Sequence, residues 1–282
     1  LKTFIIGSGH TALALAAEMP DATRYSLGGA EALRFDEPCT LIYAVDVNVD
    51  AAEDNPVDAL HQLCNDPCAL FRRQRAGAGG RFVYVSSGCV WAGPYNAVDE
   101  PFTVDDTPTP RSVYGHLRVL GEHMLQSVAR DWPAAGANDD AATGPRAAYT
   151  ALLILRPRLL FSSRLDPDNA LCKFLKFKRL SMRSNSMTSM RTLARAAVQL
   201  GATQFGAKHC VYDLGAPSPY DVASALHKAG FREQPEPMDA PASRAVPRVD
   251  VVMFDSTFET ATRPPWAIDE FLRLARLYKA QQ

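Results

Sequence analysis

No run in this 282-residue chain approaches the ~18 consecutive apolar residues that a membrane-spanning helix needs, and neither sign of charge predominates. Thirty lysines and arginines stand against 31 aspartates and glutamates, a formal net charge of −1. A chain so balanced lacks the basic field that nucleic acid or an anionic membrane surface attracts, so neither is expected as a partner. Cysteine is sparse and scattered: Cys39, Cys64, Cys68, Cys89, Cys172 and Cys210 show none of the tight spacing of small secreted frameworks. Cys64 and Cys68 are helically spaced, but no second cysteine or histidine pair completes a zinc set, so they read as buried thiols and no metal site is expected. Internal repeats are also missing. What is left is a globular chain, reduced and cytoplasmic, long enough to bury a core as one large domain or as a domain with a smaller lobe.

The start of the chain imitates a secretory signal, with Lys2, then TFIIGSGHTALALAA. Gly7-Ser8-Gly9-His10 interrupts that run, and the segment is needed as a first strand, so an intracellular chain is expected. Residues 3–6 are too short an apolar run for a helix, whereas the alanine- and leucine-rich residues 11–19 favour one. Strand, glycine turn and helix open a dinucleotide-binding unit: the glycines permit a tight turn, and the helix N-terminus faces a pyrophosphate. The pattern is G-x-G-x-x-A, from Gly7, Gly9 and Ala12, with His10 beside it. The acidic residue expected about 20 residues on, for the adenosine ribose, has no clear counterpart. Arg24 or Arg34 would instead suit a 2′-phosphate, so NAD and NADP both stay open as cofactor.

Apolar runs then alternate with helical patterns. Strands are expected near residues 23–27, 39–45, 81–86, 149–155 and 210–214. Between the second and third of these, Val57, Leu60, Leu63, Leu70 and Phe71 recur at helical spacing, and Pro67 bends or splits that helix. Further helices are expected at 114–132, 168–178, 190–200, 219–229 and 266–278. Residues 133–146 are small, polar and of low complexity, and read as a surface insertion. The alternation predicts a doubly wound α/β fold with a parallel sheet. A dinucleotide-binding domain over residues 1–160 would be followed by a mainly substrate-binding lobe over 161–282, with elements returning to the sheet.

The chemistry concentrates between residues 83 and 125. A strand ends at Ser86-Ser87, and a later helix places Tyr114 and Arg118 on one face through i, i+4 spacing. Hydroxyl, phenol and cation in this order suit delivery of a proton to a carbonyl oxygen while hydride arrives at the carbon. The stretch resembles the active-site segment of the extended short-chain dehydrogenases/reductases: Ser/Thr, then Tyr-x-x-x-Lys, then often Gly-Glu. Here Gly121-Glu122 are present and arginine stands at the lysine position. Arginine supplies a permanent charge and donors for ribose hydroxyls, but it cannot relay a proton as an amine can. The likeness narrows to the dTDP-4-dehydrorhamnose reductase type, and most closely to the bifunctional UDP-4-keto-6-deoxyglucose 3,5-epimerase/4-reductases of UDP-rhamnose synthesis. It rests on Ser87-Gly88-Cys89, Lys173 and Asn185-Ser186-Met187-Thr188.

That resemblance implies an NAD(P)H-dependent reductase of a 4-keto-6-deoxy nucleotide sugar, with 3,5-epimerisation as a further activity. Tyr114, Ser87 and Arg118 would serve the reduction, and Cys89 and Lys173 the proton exchange alpha to the ketone. Gly7, Gly9, His10, Ala12, Tyr114 and Arg118 would hold the cofactor, and Ser87, Cys89, Trp91 and Asn185 the sugar. The resemblance allows a homodimer. Asp46, in a turn where the family keeps small neutral residues, puts a carboxylate near the pyrophosphate unless it turns away or finds a partner. Together with Arg118 it motivates a second reading, a catalytically weak or inactive dinucleotide-binding regulatory subunit on the same fold.

Overall fold

Strand order decides where a ligand can sit on this chain. The computed structural model describes residues 1–91, 100–131, 150–164, 166–203, 205–238 and 251–280. The strands are β1 (Lys2–Ile6), β2 (Thr23–Tyr25), β3 (Cys39–Tyr43), β4 (Gly80–Val85), β5 (Thr150–Pro157), β6 (Leu160–Phe161), β7 (Arg179–Ser181), β8 (Thr188–Ser189), β9 (Ala207–Val211) and β10 (Glu236–Met238). Six of them form one sheet in the order β2-β1-β3-β4-β5-β9, with every neighbouring pair parallel. From β1 the chain first lays β2 on one side, then returns to lay β3 on the other. The connections leaving β1 and β3 therefore diverge, which opens a crevice at the carboxyl ends of these strands. The doubly wound parallel α/β fold expected from the alternation is the fold observed.

The strands are buried on both faces, and their side chains alternate between two cores. Ile5, Ile42, Val83, Val85, Leu153 and Leu155 face α1 (His10–Glu18), α7 (Met190–Gln199) and α9 (Ser256–Thr262). Ile6, Leu41, Tyr43, Phe82, Tyr84, Leu152 and Ile154 face α4 (Asp66–Ala76) and α5 (Val113–Asp131). A third apolar cluster joins Phe161, α6 (Ala170–Lys176), α8 (Pro219–Lys228) and α10 (Ala267–Lys279), with Phe271 stacked on Phe161 at 3.7 Å between ring centroids. This cluster is the core of the C-terminal part, while α7, α9 and β9 return to the main sheet.

Three departures from the sequence pattern have local causes. The strand expected over 39–45 ends at Tyr43: Ala44 N–H makes the last bond to β1, at the Ile6 carbonyl, and the Val45 carbonyl beyond it is taken by a side chain. The strand expected over 210–214 is shifted to 207–211. Residues 213 and 214 find their partners in Met187 and Pro265 rather than in the sheet. Finally, the segment around Pro67 is divided: α2 (Val49–Asp54) and α3 (Pro56–Leu60) lead into a π-helical turn at His61–Asn65, then α4. Proline has no N–H for the carbonyl four residues back. That carbonyl, of Leu63, accepts from the Tyr84 hydroxyl instead, at 2.8 Å.

Residues 133–146, Trp132, Tyr149 and the first part of the polar loop after Trp91, residues 92–99, lie outside the described residues, as does most of the proline-rich stretch at 233–247. No helix among the described residues is long and apolar enough to cross a membrane.

Candidate active site

The crevice at the switch point is built first from the turn after β1. Gly7 holds φ +147°, and a Cβ there would come within 2.5 Å of the Ala44 carbonyl and 2.8 Å of the Ala12 Cβ. Only glycine allows the strand to turn this tightly into α1, with Ala12 packed beneath. Arg24 of β2 donates to the Gly7 carbonyl at 2.9 Å, which leaves a guanidinium at the rim. His10 opens α1. It is buried, makes no hydrogen bond among the described residues, and has the Asp166 carboxylate 3.6 Å from Nδ1. Burial holds its pKa below the ordinary histidine value, against the pull of Asp166 and Asp46.

Asp46, just beyond β3, crosses the switch point to the same turn. One of its carboxylate oxygens accepts from Thr11 N–H at 2.8 Å and the other from Thr11 Oγ1 at 2.5 Å. A Cβ on Gly9 would be 2.4 Å from this carboxylate. The partner needed by Asp46 is thus the amino end of α1, where an aligned helix carries positive potential.

The second wall comes from α5 and the ends of β3 and β4. Carbonyls at the carboxyl ends of parallel strands need donors once the ladder stops, and Arg118 supplies them from inside the helix. Its Nη1 donates to the Val85 carbonyl at 2.8 Å and its Nη2 to the Val45 carbonyl at 3.2 Å. Nε donates to the Tyr114 hydroxyl at 3.1 Å. Arg118 is only 3% exposed, and its guanidinium lies 5.1 Å from the Tyr114 ring centroid and 5.7 Å from that of Tyr84. All three guanidinium nitrogens therefore already donate within the protein, and the residue tied to the ribose by resemblance also ties two strand ends together.

Ser87 caps a single turn at Gly88–Val90 by accepting from Cys89 N–H at 3.1 Å. That turn brings Cys89 against α5: a Cβ on Gly115 would sit 2.6 Å from the Cys89 carbonyl, and Cys89 packs on the cluster that contains Tyr114. Arg158 Nη1 donates to the Cys89 sulfur at 3.1 Å. Lys173, on α6, directs its ammonium to the Asp168 carbonyl at 3.2 Å and carboxylate at 3.8 Å. The cation at the thiol is thus Arg158. Trp91 is fully buried, stacked on Phe102 and donating from Nε1 to the Asp106 carbonyl. Asn185 is buried too, accepting from Val251 N–H at 3.3 Å, and Ser186 and Thr188 likewise bond to neighbouring segments.

Beneath the site lies a buried ionic network that sequence reasoning passed over. Glu122 accepts from Ser86 Oγ at 2.6 Å and from Arg156 at 3.0 and 2.7 Å, with Lys208 at 3.8 Å. Arg156 also lies 4.6 Å over the Trp91 ring. The signal was present: Arg156 is the lone charge in an otherwise apolar central strand, and such a charge must find a partner.

Residues 29–133 match the family described as the RmlD substrate binding domain. No curated protein sequence matches the chain. Among solved structures, RMD from Pseudomonas aeruginosa complexed with NADPH is 16% identical, with 100% of each chain covered and a TM-score of 0.74. A dTDP-4-dehydrorhamnose reductase from Clostridium acetobutylicum is 16% identical, covering 99% of this chain and 100% of that one at a TM-score of 0.70. MoeE5 in complex with UDP-glucuronic acid and NAD is 14% identical, covering 99% and 100% at 0.73. At such identities the likeness establishes the fold.

Proposed function

For a chain that resembles the extended short-chain dehydrogenase/reductases of the dTDP-4-dehydrorhamnose reductase type, we propose an NAD(P)H-dependent reductase of a nucleotide sugar. The observation that carries this reading is the Tyr114 hydroxyl held at 3.1 Å by a buried guanidinium on the same helix, beside the crevice of a doubly wound sheet. Gly7, Gly9, His10 and Ala12 would hold the dinucleotide, with Arg24 at its adenosine end and Tyr114 and Arg118 at the other. The tight turn at Gly7 fits a dinucleotide; the carboxylate over Gly9 does not. A reduced nicotinamide supplies hydride. Tyr114 delivers the proton to the carbonyl oxygen, and Ser87 donates to the same oxygen as charge develops there. Arg118 holds the tyrosine oxygen in position and keeps its charge throughout.

The finer reading is a 4-keto-6-deoxy sugar as substrate, with 3,5-epimerisation as a second activity. Cys89 would take the proton alpha to the ketone, with Arg158 as the positive neighbour that a reacting thiol calls for. Lys173 would serve as its counterpart, and Trp91 and Asn185 would shape the sugar site. A second reading, a dinucleotide-binding regulatory subunit of little or no activity, is favoured by Arg118 being engaged with the Val45 and Val85 carbonyls. One assay separates them: purified protein, NADPH or NADH and a 4-keto-6-deoxy nucleotide sugar, followed by loss of nicotinamide absorbance and by solvent deuterium uptake. Absorbance loss supports the reductase, and uptake alone an epimerase. Neither signal, with dinucleotide still bound, leaves the regulatory reading.

A further inference from the structure

Asp46 has taken the place that a diphosphate would need. In a doubly wound sheet the diphosphate lies over the glycine turn and accepts from the first N–H groups of the following helix. Here the N–H of Thr11 is already bonded to a carboxylate at 2.8 Å, and the same carboxylate fills the space over Gly9. A second carboxylate, of Asp166, stands 3.6 Å from the neighbouring His10. Thr11 is buried whereas Asp46 is exposed, so the acidic side chain can swing into solvent while the helix end stays in place.

We propose that Asp46 is an internal competitor for the cofactor's diphosphate, so that dinucleotide affinity is set by displacement of its carboxylate from Thr11. The inference rests on the dinucleotide half of the reading above and goes beyond it, because it assigns an inhibitory contact to a residue outside the glycine turn. Two costs act together on the wild type: the Asp46–Thr11 bonds must break, and the displaced carboxylate stays near an incoming double negative charge. Alanine removes both, and asparagine removes the second and weakens the first.

The test is calorimetric titration of wild type, Asp46→Asn and Asp46→Ala with NADPH, NADH, ADP-ribose and adenosine. Both variants are expected to bind the three diphosphate ligands about tenfold more tightly or better, a change of about 1.4 kcal/mol, and adenosine no differently. In thermal melts, the unliganded variants should unfold slightly earlier than wild type yet gain more from added NADPH. Asparagine keeps the shape of the carboxylate, so a fold defect in the alanine variant alone does not decide the matter. Affinity for ADP-ribose that is unchanged or weaker in Asp46→Asn overturns the proposal, as does an equal gain for adenosine or an absence of ADP-ribose binding in all three proteins. If the variants gain affinity but oxidise no NADPH with keto sugar, the competitor stands and the reductase reading falls. If wild type turns over and the variants' affinity is unchanged, the reductase stands and the competitor falls.

Discussion

Replacing Arg118 by lysine separates the two jobs this residue performs. The resemblance makes lysine the ordinary occupant, so that reductase chemistry alone would tolerate or even favour the change. The geometry predicts a cost. Arg118 spreads three nitrogens over the Val45 carbonyl, the Val85 carbonyl and the Tyr114 hydroxyl, at 3.2, 2.8 and 3.1 Å. A lysine ammonium carries its donors on one atom and cannot span all three. At least one of these three buried groups then loses its donor, which costs roughly 1–3 kcal/mol where it is a carbonyl at the end of β3 or β4. For a chain of this size a loss of about 2 kcal/mol lowers the melting temperature by roughly 4–8 °C. Urea unfolding without ligand, followed by circular dichroism, measures it. Arg118→Met, which strips both carbonyls, should lose clearly more than Arg118→Lys. A lysine variant within about 0.5 kcal/mol of wild type, the scatter of neutral surface substitutions, would refute the idea that Arg118 holds the strand ends together.

Three further outcomes follow from the same contacts. Glu122→Gln leaves the Arg156 charge buried without its carboxylate and should cost about 3–5 kcal/mol in urea unfolding; adding Arg156→Met should recover part of that loss, and strict additivity would deny the coupling. Asp213 is buried against Ser189 and Thr192, and burial pushes its carboxyl up to about 7. An acid whose pKa is raised by folding contributes no penalty below its unfolded pKa of about 4 and its full penalty above the folded one. Stability should therefore fall between about pH 4 and pH 7, by at most roughly 4 kcal/mol. Asp213→Asn should flatten that part of the pH profile, and an unchanged profile would exclude Asp213 as its source. Cys89→Ser should suppress deuterium exchange into the sugar while sparing hydride transfer, and persistent exchange would remove Cys89 from the mechanism.

How much was legible depended on the range of the interaction. The sheet was readable because 39–45 is a continuous apolar run and 82–85 another, each between helical patterns, a local property of a strand buried on both faces. The i, i+4 pairing of Tyr114 with Arg118 was readable for the same reason, and Pro67 announced its own break. The resemblance drawn from Ser87, Tyr114 and Gly121-Glu122 is borne out by the family match over residues 29–133, which holds all four, and the fold by the solved structures. Long-range partners were not readable. Spacing along the chain gave no sign that Glu122 meets Arg156, that Arg158 rather than Lys173 reaches Cys89, or that Asp46 closes on Thr11. The same holds for β6 with β8 and β7 with β10, pairs of two or three residues too short to carry a period. Strand ends failed where a side chain took over from the ladder, as Arg118 does at Val45.

The most direct test of the reductase reading is the rate of NADPH oxidation with a 4-keto-6-deoxy nucleotide sugar, measured for wild type and Tyr114→Phe at matched dinucleotide saturation. Phenylalanine keeps the ring packing of Tyr114 and removes only the hydroxyl that Arg118 holds. Wild type should show sugar-dependent oxidation, and the variant a fall of about 100-fold or more, the scale of a lost general acid. Equal rates in the two proteins would contradict the reductase reading, as would a wild type that binds the dinucleotide and oxidises none.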